Sequence, residues 1–196
     1  MLKKTTRFAA TASAMLTALT LGAAAQGSDP FGPPSRAWEQ GPIYRNTIPT
    51  EFETHIIAPT EADRARAQRI LELYEVLAGQ PTIEAVSEFV SDTYIQHSSM
   101  LPNGREPLAM LFASSAAENP AEIDVHKVMV VGDWAMAHVN FRQLDITAEE
   151  DMGMAAVDMY LFDADGLITE HWDVIQFVPS HQPNPNGMFL KLYEGE

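Results

Sequence analysis

The spacing of apolar residues changes once along this chain, near Pro120, and that change limits the possible folds more than any other feature. Before Pro120, apolar residues recur about every 3.6 positions, as in helices that bury one face. After it they alternate with polar residues, as in strands. Helices first and antiparallel strands afterwards predict an α+β domain, with the helices packed on one face of a curved sheet.

Three helices are predicted before Pro120. The first is capped by Thr60 and ends at Gly79, the second covers residues 83–90, and Pro107 marks the start of the third. The stretch from Asp92 to His97 is predicted to be extended.

Four strands are predicted after Pro120, in two hairpins. Residues 123–131 and 134–144 form the first pair, joined by the two-residue turn Gly132-Asp133. Residues 155–162 and 167–178 form the second pair.

Both ends of the chain are predicted to lie outside this domain, which spans residues 60–180. Residues 1–25 have the basic start, apolar run and small final residues of a secretory signal peptide. We therefore expect cleavage after Ala25 and a periplasmic or secreted protein without membrane insertion. Residues 26–59 hold six of the 13 prolines, which predicts an extended arm, and residues 181–196 form a C-terminal tail.

Composition excludes several classes of function. Acidic residues outnumber Lys and Arg by 27 to 12, and the formal net charge is −15. Nucleic acid is not expected as a partner, because its phosphates must be neutralised by clustered Lys and Arg. The chain has no Cys, so it contains no thiol nucleophile and no thiolate metal site.

Five short patterns, taken together, resemble the SnoaL-like polyketide cyclase family of the nuclear transport factor 2-like superfamily. The resemblance covers about residues 61–179, and the last pattern is its most specific part. The patterns are Tyr94-Ile95-Gln96-His97, Asn103-Gly104-Arg105-Glu106, Gly132-Asp133-Trp134-Ala135-Met136-Ala137-His138, Val157-Asp158-Met159-Tyr160 and Asp165-Gly166-Leu167-Ile168-Thr169-Glu170-His171-Trp172-Asp173.

This resemblance implies a cone-shaped fold in which three helices and a bent sheet enclose one deep pocket. It also implies a homodimer, and acid–base chemistry without a metal or organic cofactor. Family members of known activity close polyketide rings by aldol condensation, whereas the wider superfamily also includes isomerases, dehydratases, hydrolases and binding domains. The fold alone therefore does not specify a reaction.

Asp158 is the strongest catalytic candidate in the sequence. It stands in an apolar run, residues 155–162, and burial of a lone carboxylate raises its pKa toward the range useful for proton transfer. The resemblance also implies an acid–base carboxylate in this region.

The register of the last hairpin decides which residues accompany Asp158. A three-residue loop at residues 164–166 places it opposite Trp172, so that Trp172 and Gln176 share its face. A two-residue turn at Asp165-Gly166 reverses the parity and brings His171 and Asp173 instead. We prefer the first register because Gly166 readily takes a positive φ.

Other pocket residues are predicted from their positions. His97 and His138 are candidate hydrogen-bond donors to a developing enolate oxygen, and further substrate-binding candidates are Tyr94, Tyr160, Trp172, Asp173 and Gln176. No zinc-binding spacing such as HExxH occurs, so no metal is expected, although a site assembled across strands stays open.

Two functions fit these features. The first is a cofactor-free lyase or isomerase acting on a small apolar carbonyl compound. The alternative is an exported domain that binds a small ligand or a partner without chemistry. A homodimer is expected in either case, because Trp134 and Met136 lie on the strand face opposite Ala135 and Ala137, where an apolar patch marks a contact.

Overall fold

The computed structural model describes residues 41–79, 81–115, 120–144 and 152–189. The predicted signal peptide and the start of the predicted arm lie outside the described residues. The elements, in chain order, are β1 (Tyr44–Arg45), β2 (His55–Ile57), α1 (Glu61–Ala78), α2 (Ile83–Ser87), β3 (Val90–Gln96), α3 (Arg105–Ser115), β4 (Glu122–Val131), β5 (Trp134–Arg142), β6 (Met154–Phe162), β7 (Ile168–Phe177) and β8 (His181–Gln182).

The first helix, α1, begins with a capping box. The Thr60 hydroxyl accepts from the Asp63 amide, and the Asp63 carboxylate accepts from the Thr60 amide. The other Asp63 oxygen accepts from the amide of Gly132, which joins the start of α1 to the β4–β5 turn. These hydrogen bonds, those from Thr60 first, hold the pKa of Asp63 below its usual value.

The main sheet has six strands in the order β2-β4-β5-β6-β7-β3. The three pairings among β4, β5, β6 and β7 are antiparallel, whereas β2 and β3 lie parallel to their neighbours at the two edges. The two-residue turn at Gly132-Asp133 is confirmed, since Val131 pairs with Trp134. The predicted α+β class, with three helices on a curved and mostly antiparallel sheet, is confirmed.

The predicted three-residue loop of the last hairpin, residues 164–166, is correct, but the predicted pairing of its two strands is wrong. The Asp163 amide donates to the Leu167 carbonyl, and Gly166 has a φ of 81°. Two pairs further along, a β-bulge leaves Thr169 without a partner residue, because Phe162 pairs with Ile168 and Leu161 with Glu170.

The bulge reverses the side-chain parity beyond it. Asp158 therefore lies opposite Asp173 instead of Trp172. The Thr169 hydroxyl donates to the Leu161 carbonyl across the same two strands, which fixes the bulge in place. The alternative set, His171 and Asp173, thus shares a face with Asp158, for a reason other than a two-residue turn.

Parts of the predicted arm and tail contact this domain. Residues 55–57 form β2 and pair with β4, and residues 44–45 pair with residues 181–182. The predicted helix over residues 83–90 is shorter than expected, because the chain enters β3 at Val90.

The two faces of the sheet differ in how far their side chains are exposed to solvent. The inner face carries the core, with Ala137 and Val139 fully buried against the helices. The outer face carries apolar residues that are partly exposed, among them Trp134 at 50% and Val174 at 69%. This assignment of the two β5 faces agrees with the sequence. Among the described residues, no helix has the length and apolar character needed to cross a membrane.

Candidate functional site

A cavity of about 320 Å³ lies between the helices and the inner face of the sheet. Its apolar wall comes from α1, α3, the chain between β3 and α3, and β5 to β7. The apolar lining residues are Leu77, Met100, Leu101, Leu108, Leu111, Phe112, Phe141, Leu144, Met154, Ile175 and Phe177. Met100 and Phe177 are mostly exposed and mark the open end. A cavity of this size and lining suits a small, largely apolar molecule.

Asp158 lies at the buried, polar end of this cavity, with 2% of its surface exposed. Its Oδ2 accepts a short hydrogen bond from the Tyr74 hydroxyl and a second, at 3.3 Å, from the Tyr160 hydroxyl. The two hydroxyl oxygens are 2.7 Å apart. One carboxylate oxygen is therefore held by two phenols, and Oδ1 remains for other contacts.

Both tyrosines stay protonated donors at neutral pH. Burial, followed by the negative charge of Asp158, raises the pKa of Tyr74 and of Tyr160 well above the usual value for a phenol. Burial and the charges of Asp158 and Asp173 likewise raise the pKa of Tyr94.

His171 is held in one orientation by Gln96. The His171 Nδ1 lies 2.8 Å from Gln96 Oε1, and the Ser98 amide donates to the same oxygen at 3.0 Å. Gln96 Nε2 donates to the Tyr94 hydroxyl at 2.9 Å. Because the Ser98 amide is a donor, the atom facing it must be the Gln96 carbonyl oxygen, and His171 Nδ1 must therefore carry a hydrogen.

The other ring nitrogen of His171 faces Asp158. Its Nε2 lies 3.5 Å from Asp158 Oδ1. In neutral imidazole with Nδ1 protonated, Nε2 is an acceptor, so two acceptors would face each other. A proton or another cation between them removes this repulsion.

Asp173 completes the polar end of the cavity. One ligand atom each from Asp158, His171 and Asp173 lie within 4.8 Å of one another. The Asp173 carboxylate lines the cavity, and in the described part of the chain no donor forms a hydrogen bond or ion pair with it. The arrangement thus has three acceptor atoms that converge from two adjacent strands, β6 and β7.

Three of the predicted site residues line the cavity, namely Asp158, Tyr160 and Asp173. Tyr94 is buried beside them and contacts the site through Gln96.

The other four predicted residues lie outside the cavity, which corrects their assignment. His97 stacks on Trp172 with ring centroids 4.4 Å apart and pairs with Glu170 at 2.8 Å on the outer face. Trp172 and Gln176 alternate with the cavity-lining Asp173 and Ile175 along β7, and the Thr169 bulge directs them outward.

His138 faces outward because its neighbour Ala137, opposite Asp158, faces the core. It lies 3.4 Å from the Lys127 amine and beside the buried His126 ring. Burial, then the charge of Lys127, lowers the pKa of His138. Burial, then the charges of His138, Lys127 and Arg142, lowers the pKa of His126 to about 4.

Three important residues were not predicted as part of the site. Tyr74 follows the apolar period of α1, so it reads as a core residue, and only its hydroxyl indicates a polar contact. Gln96 lies two residues after Tyr94 on β3, so the two side chains share one face of the strand. This shared face was the available signal that Gln96 belongs to the site. Whether His171 faces the cavity depends on the register of the β6–β7 hairpin, and the sequence leaves that register open.

A curved and mostly antiparallel sheet, helices on one of its faces and a polar-ended cavity between them together define the nuclear transport factor 2-like class of fold. Within that class, the sequence profile of the SnoaL-like domain family matches residues 70–171, about half of the chain. The chain belongs to this family. The match includes Asp158 and His171 and ends two residues before Asp173.

Three solved structures are similar to this chain, and the first of them supports the fold. A candidate polyketide cyclase from Bacillus cereus ATCC 10987 is 18% identical over 67% of this chain and 91% of its own, with a TM-score of 0.50. A nuclear transport factor 2-like protein of unknown function from Mesorhizobium loti is 16% identical over 62% and 98%, with a TM-score of 0.48. An epoxide hydrolase from M. tuberculosis is 14% identical over 58% and 84%, with a TM-score of 0.47. No protein of curated function matches the sequence.

Proposed function

We propose that this protein is an acid–base enzyme that moves a proton on a small, largely apolar carbonyl compound, with its own side chains as the only catalytic groups. The observation that supports the proposal is the buried pair of Asp158 and His171, which faces an apolar cavity. Buried acid–base pairs at the end of an apolar pocket are typical of proton-transfer sites.

In the proposed reaction, the substrate carbonyl lies near the polar end of the cavity and its apolar part lies along the wall. The Asp158 carboxylate takes a proton from the carbon next to the carbonyl, and the C–H electron pair moves toward the carbonyl oxygen to give an enolate. Protonated His171 donates a hydrogen bond to that oxygen through Nε2.

The enolate can react in two ways that return Asp158 and His171 to their starting protonation states. In a substrate with a C=C bond next to the deprotonated carbon, the enolate is a dienolate, and return of the proton from Asp158 to its far carbon shifts the double bond and gives an isomer. Attack of the enolate carbon on a second carbonyl gives a new C–C bond, and the proton then passes from Asp158 to the resulting alkoxide. Tyr74 and Tyr160 hold the Asp158 carboxylate in position through both routes. His97 and His138 take no part, because they lie on the outer face.

Exchange of carbon-bound hydrogen for deuterium in D₂O tests this proposal without knowledge of the natural substrate. We expect the purified protein to accelerate exchange next to the carbonyl in some members of a panel of small apolar ketones. Asp158→Asn should lower that rate by at least about 100-fold, because general acid–base groups contribute about 10²–10⁴. Its melting temperature should change little, since the amide fills the same volume.

Matched controls separate the site from general effects on the protein. Asp165→Asn changes an exposed carboxylate in the β6–β7 turn and should leave the exchange rate unchanged. His171→Gln should lose exchange, whereas His97→Gln should retain it. Exchange that survives Asp158→Asn would refute the proposal. A panel without any exchange, together with an unaltered ligand retained in protein from its own host, would identify a binding protein instead.

We also propose export and dimerisation. Export rests on the three-part pattern of residues 1–25, and N-terminal sequencing of protein from the host periplasm or medium should begin at Gln26. Dimerisation rests on the exposed apolar residues of the outer face, where Trp134 lies 5.4 Å from Trp172, measured between ring centroids.

A further inference from the structure

The polar end of the cavity has the composition of a metal site as well as that of a proton-transfer site. Its three converging atoms are one imidazole nitrogen and two carboxylate oxygens. Zinc binds such ligands at about 2.0–2.2 Å, and in catalytic sites it takes three protein ligands and leaves one position open. The 3.5 Å between His171 Nε2 and Asp158 Oδ1 is close to the separation of about 3.4 Å expected for two ligands of a tetrahedral ion.

The groups behind two of these ligands already have the arrangement that metal sites need. A histidine that binds a metal nearly always donates its other ring N–H to an oxygen, which directs the free lone pair toward the ion. His171 donates Nδ1–H to Gln96 Oε1, and Gln96 is fixed by Ser98 and Tyr94. Asp158 is held in turn by two tyrosine hydroxyls on Oδ2, so Oδ1 is directed toward His171.

Charge gives an independent reason for a cation. Two carboxylates share this end of the cavity, and the lining residues in the described part of the chain include no Lys or Arg. Asp173 in particular has no donor there, although it faces the cavity. Asp158 is buried and Asp173 is partly buried, and charges removed from water in proteins are generally paired or coordinate metals. One proton on His171 balances only one of the two carboxylates, whereas a divalent ion balances both.

We propose that Asp158, His171 and Asp173 bind one divalent ion of the zinc type, through Oδ1, Nε2 and a carboxylate oxygen respectively. His171 binds the ion as the neutral imidazole, and the ion lies between Nε2 and Oδ1. The fourth position of the ion opens toward the cavity. Because the ion occupies the atoms that carry the proton, it inhibits the acid–base reaction proposed above. The site itself depends only on the ligand geometry, so it stands even if that reaction does not.

Calorimetric titration of zinc chloride into the chelator-treated, untagged protein tests the site. We expect saturation at one ion per chain and a rise in melting temperature with zinc, because the ion binds only the folded state. His171→Gln and Asp173→Asn should each weaken binding at least about tenfold, and Gln96→Leu should weaken it by about 10–100-fold as a supporting residue. Circular dichroism confirms that each variant is folded.

Two control variants test whether histidines on the outer face bind zinc independently of the site in the cavity. His97→Gln removes the exposed pair with Glu170, and His138→Gln removes one ring of the outer histidine pair. Both should keep the affinity of the unmodified protein. An anomalous signal in crystals grown with zinc should lie between Asp158, His171 and Asp173.

Several results would overturn the site. They are an absence of saturable binding, an affinity that His171→Gln and Asp173→Asn leave unchanged, and a zinc signal at the outer face alone. The deuterium-exchange assay reports on the reaction separately. Protein that binds zinc at this site, but catalyses no exchange once the metal has been removed, would refute the proposed function and keep the metal site. Metal-free protein that catalyses exchange but binds no zinc at this site would refute the metal site and keep the proposed function.

Discussion

Gly153 lies just before β6, and its replacement by alanine is expected to destabilise the domain strongly. Its φ is 90°, a conformation that residues with a Cβ rarely adopt. An added Cβ would lie 2.1 Å from the Asn140 Oδ1 and 2.8 Å from the Phe141 carbonyl oxygen. Neither atom can move easily, because Asn140 is fully buried and the Phe141 oxygen belongs to the backbone of β5.

The expected magnitude has two parts. The left-handed backbone costs a residue with a side chain about 1–2 kcal/mol. Forcing an additional methyl group into a filled space costs about 1–3 kcal/mol more. Gly153→Ala should therefore lower the free energy of unfolding by about 3 kcal/mol, a large part of the total for a domain of this size.

Gly132 provides the matched control. Its φ is also positive, at 61°, but no atom lies within 4 Å of an added Cβ. Gly132→Ala should thus show the backbone cost alone, about 1 kcal/mol. Urea unfolding, followed by circular dichroism, measures both variants against the unmodified protein. Equal losses for the two variants would show that the contacts around Gly153 do not restrict it.

Three further predictions concern the outer face and the acid stability of the domain. Trp134→Glu should give a folded monomer in light scattering, and a monomeric unmodified protein at tens of micromolar would contradict the proposed dimer. His126, stacked between Phe52 and Phe189, has a native pKa of about 4, so the domain should lose stability as the pH falls from about 6.5 to 4, where only the unfolded histidine binds a proton. His126→Phe should reduce that loss, seen as a smaller difference in melting temperature between pH 7 and pH 5; an unchanged difference would exclude His126 as its source. Asp63→Asn should lower the melting temperature at pH 7 relative to the unmodified protein. The difference between the two melting temperatures should narrow below about pH 4, because the native carboxylate is then protonated; a difference independent of pH would contradict a role for the charge of Asp63.

Local signals in the sequence were sufficient for most of the fold. Thr60 and Gly79 mark the two ends of α1, and the sequence shows both ends because helix capping and chain reversal depend on local residues. The Gly132-Asp133 turn was equally clear, since a two-residue hairpin needs a residue with positive φ. The strand β2 was not predicted, because the surrounding prolines indicate an extended segment but not the strand it would pair with.

The site was harder to predict, because it depends on parity along strands. Asp158 was identified from its apolar neighbours, with support from the family resemblance. The neighbours of Asp158 across the hairpin could not be fixed, since no local residue pattern marks the Thr169 bulge, where both β6 and β3 shift register against β7. His138 was assigned to the pocket by residue type, although the strand pattern that places Trp134 outside also places His138 outside.

The Thr169 bulge has a consequence for how such proteins diversify. Asp158, His171 and Asp173 share the cavity because the bulge accommodates Thr169 without a partner residue on β6. Insertion of one further residue at this point, without a second bulge, would shift the pairing by one residue and bring Glu170 and Trp172 to the cavity. The catalytic lining would be exchanged as a block, while the helices, the strand order and the core composition stayed the same. A lineage with this fold can therefore change its chemistry through one short insertion, without passing through a series of point substitutions.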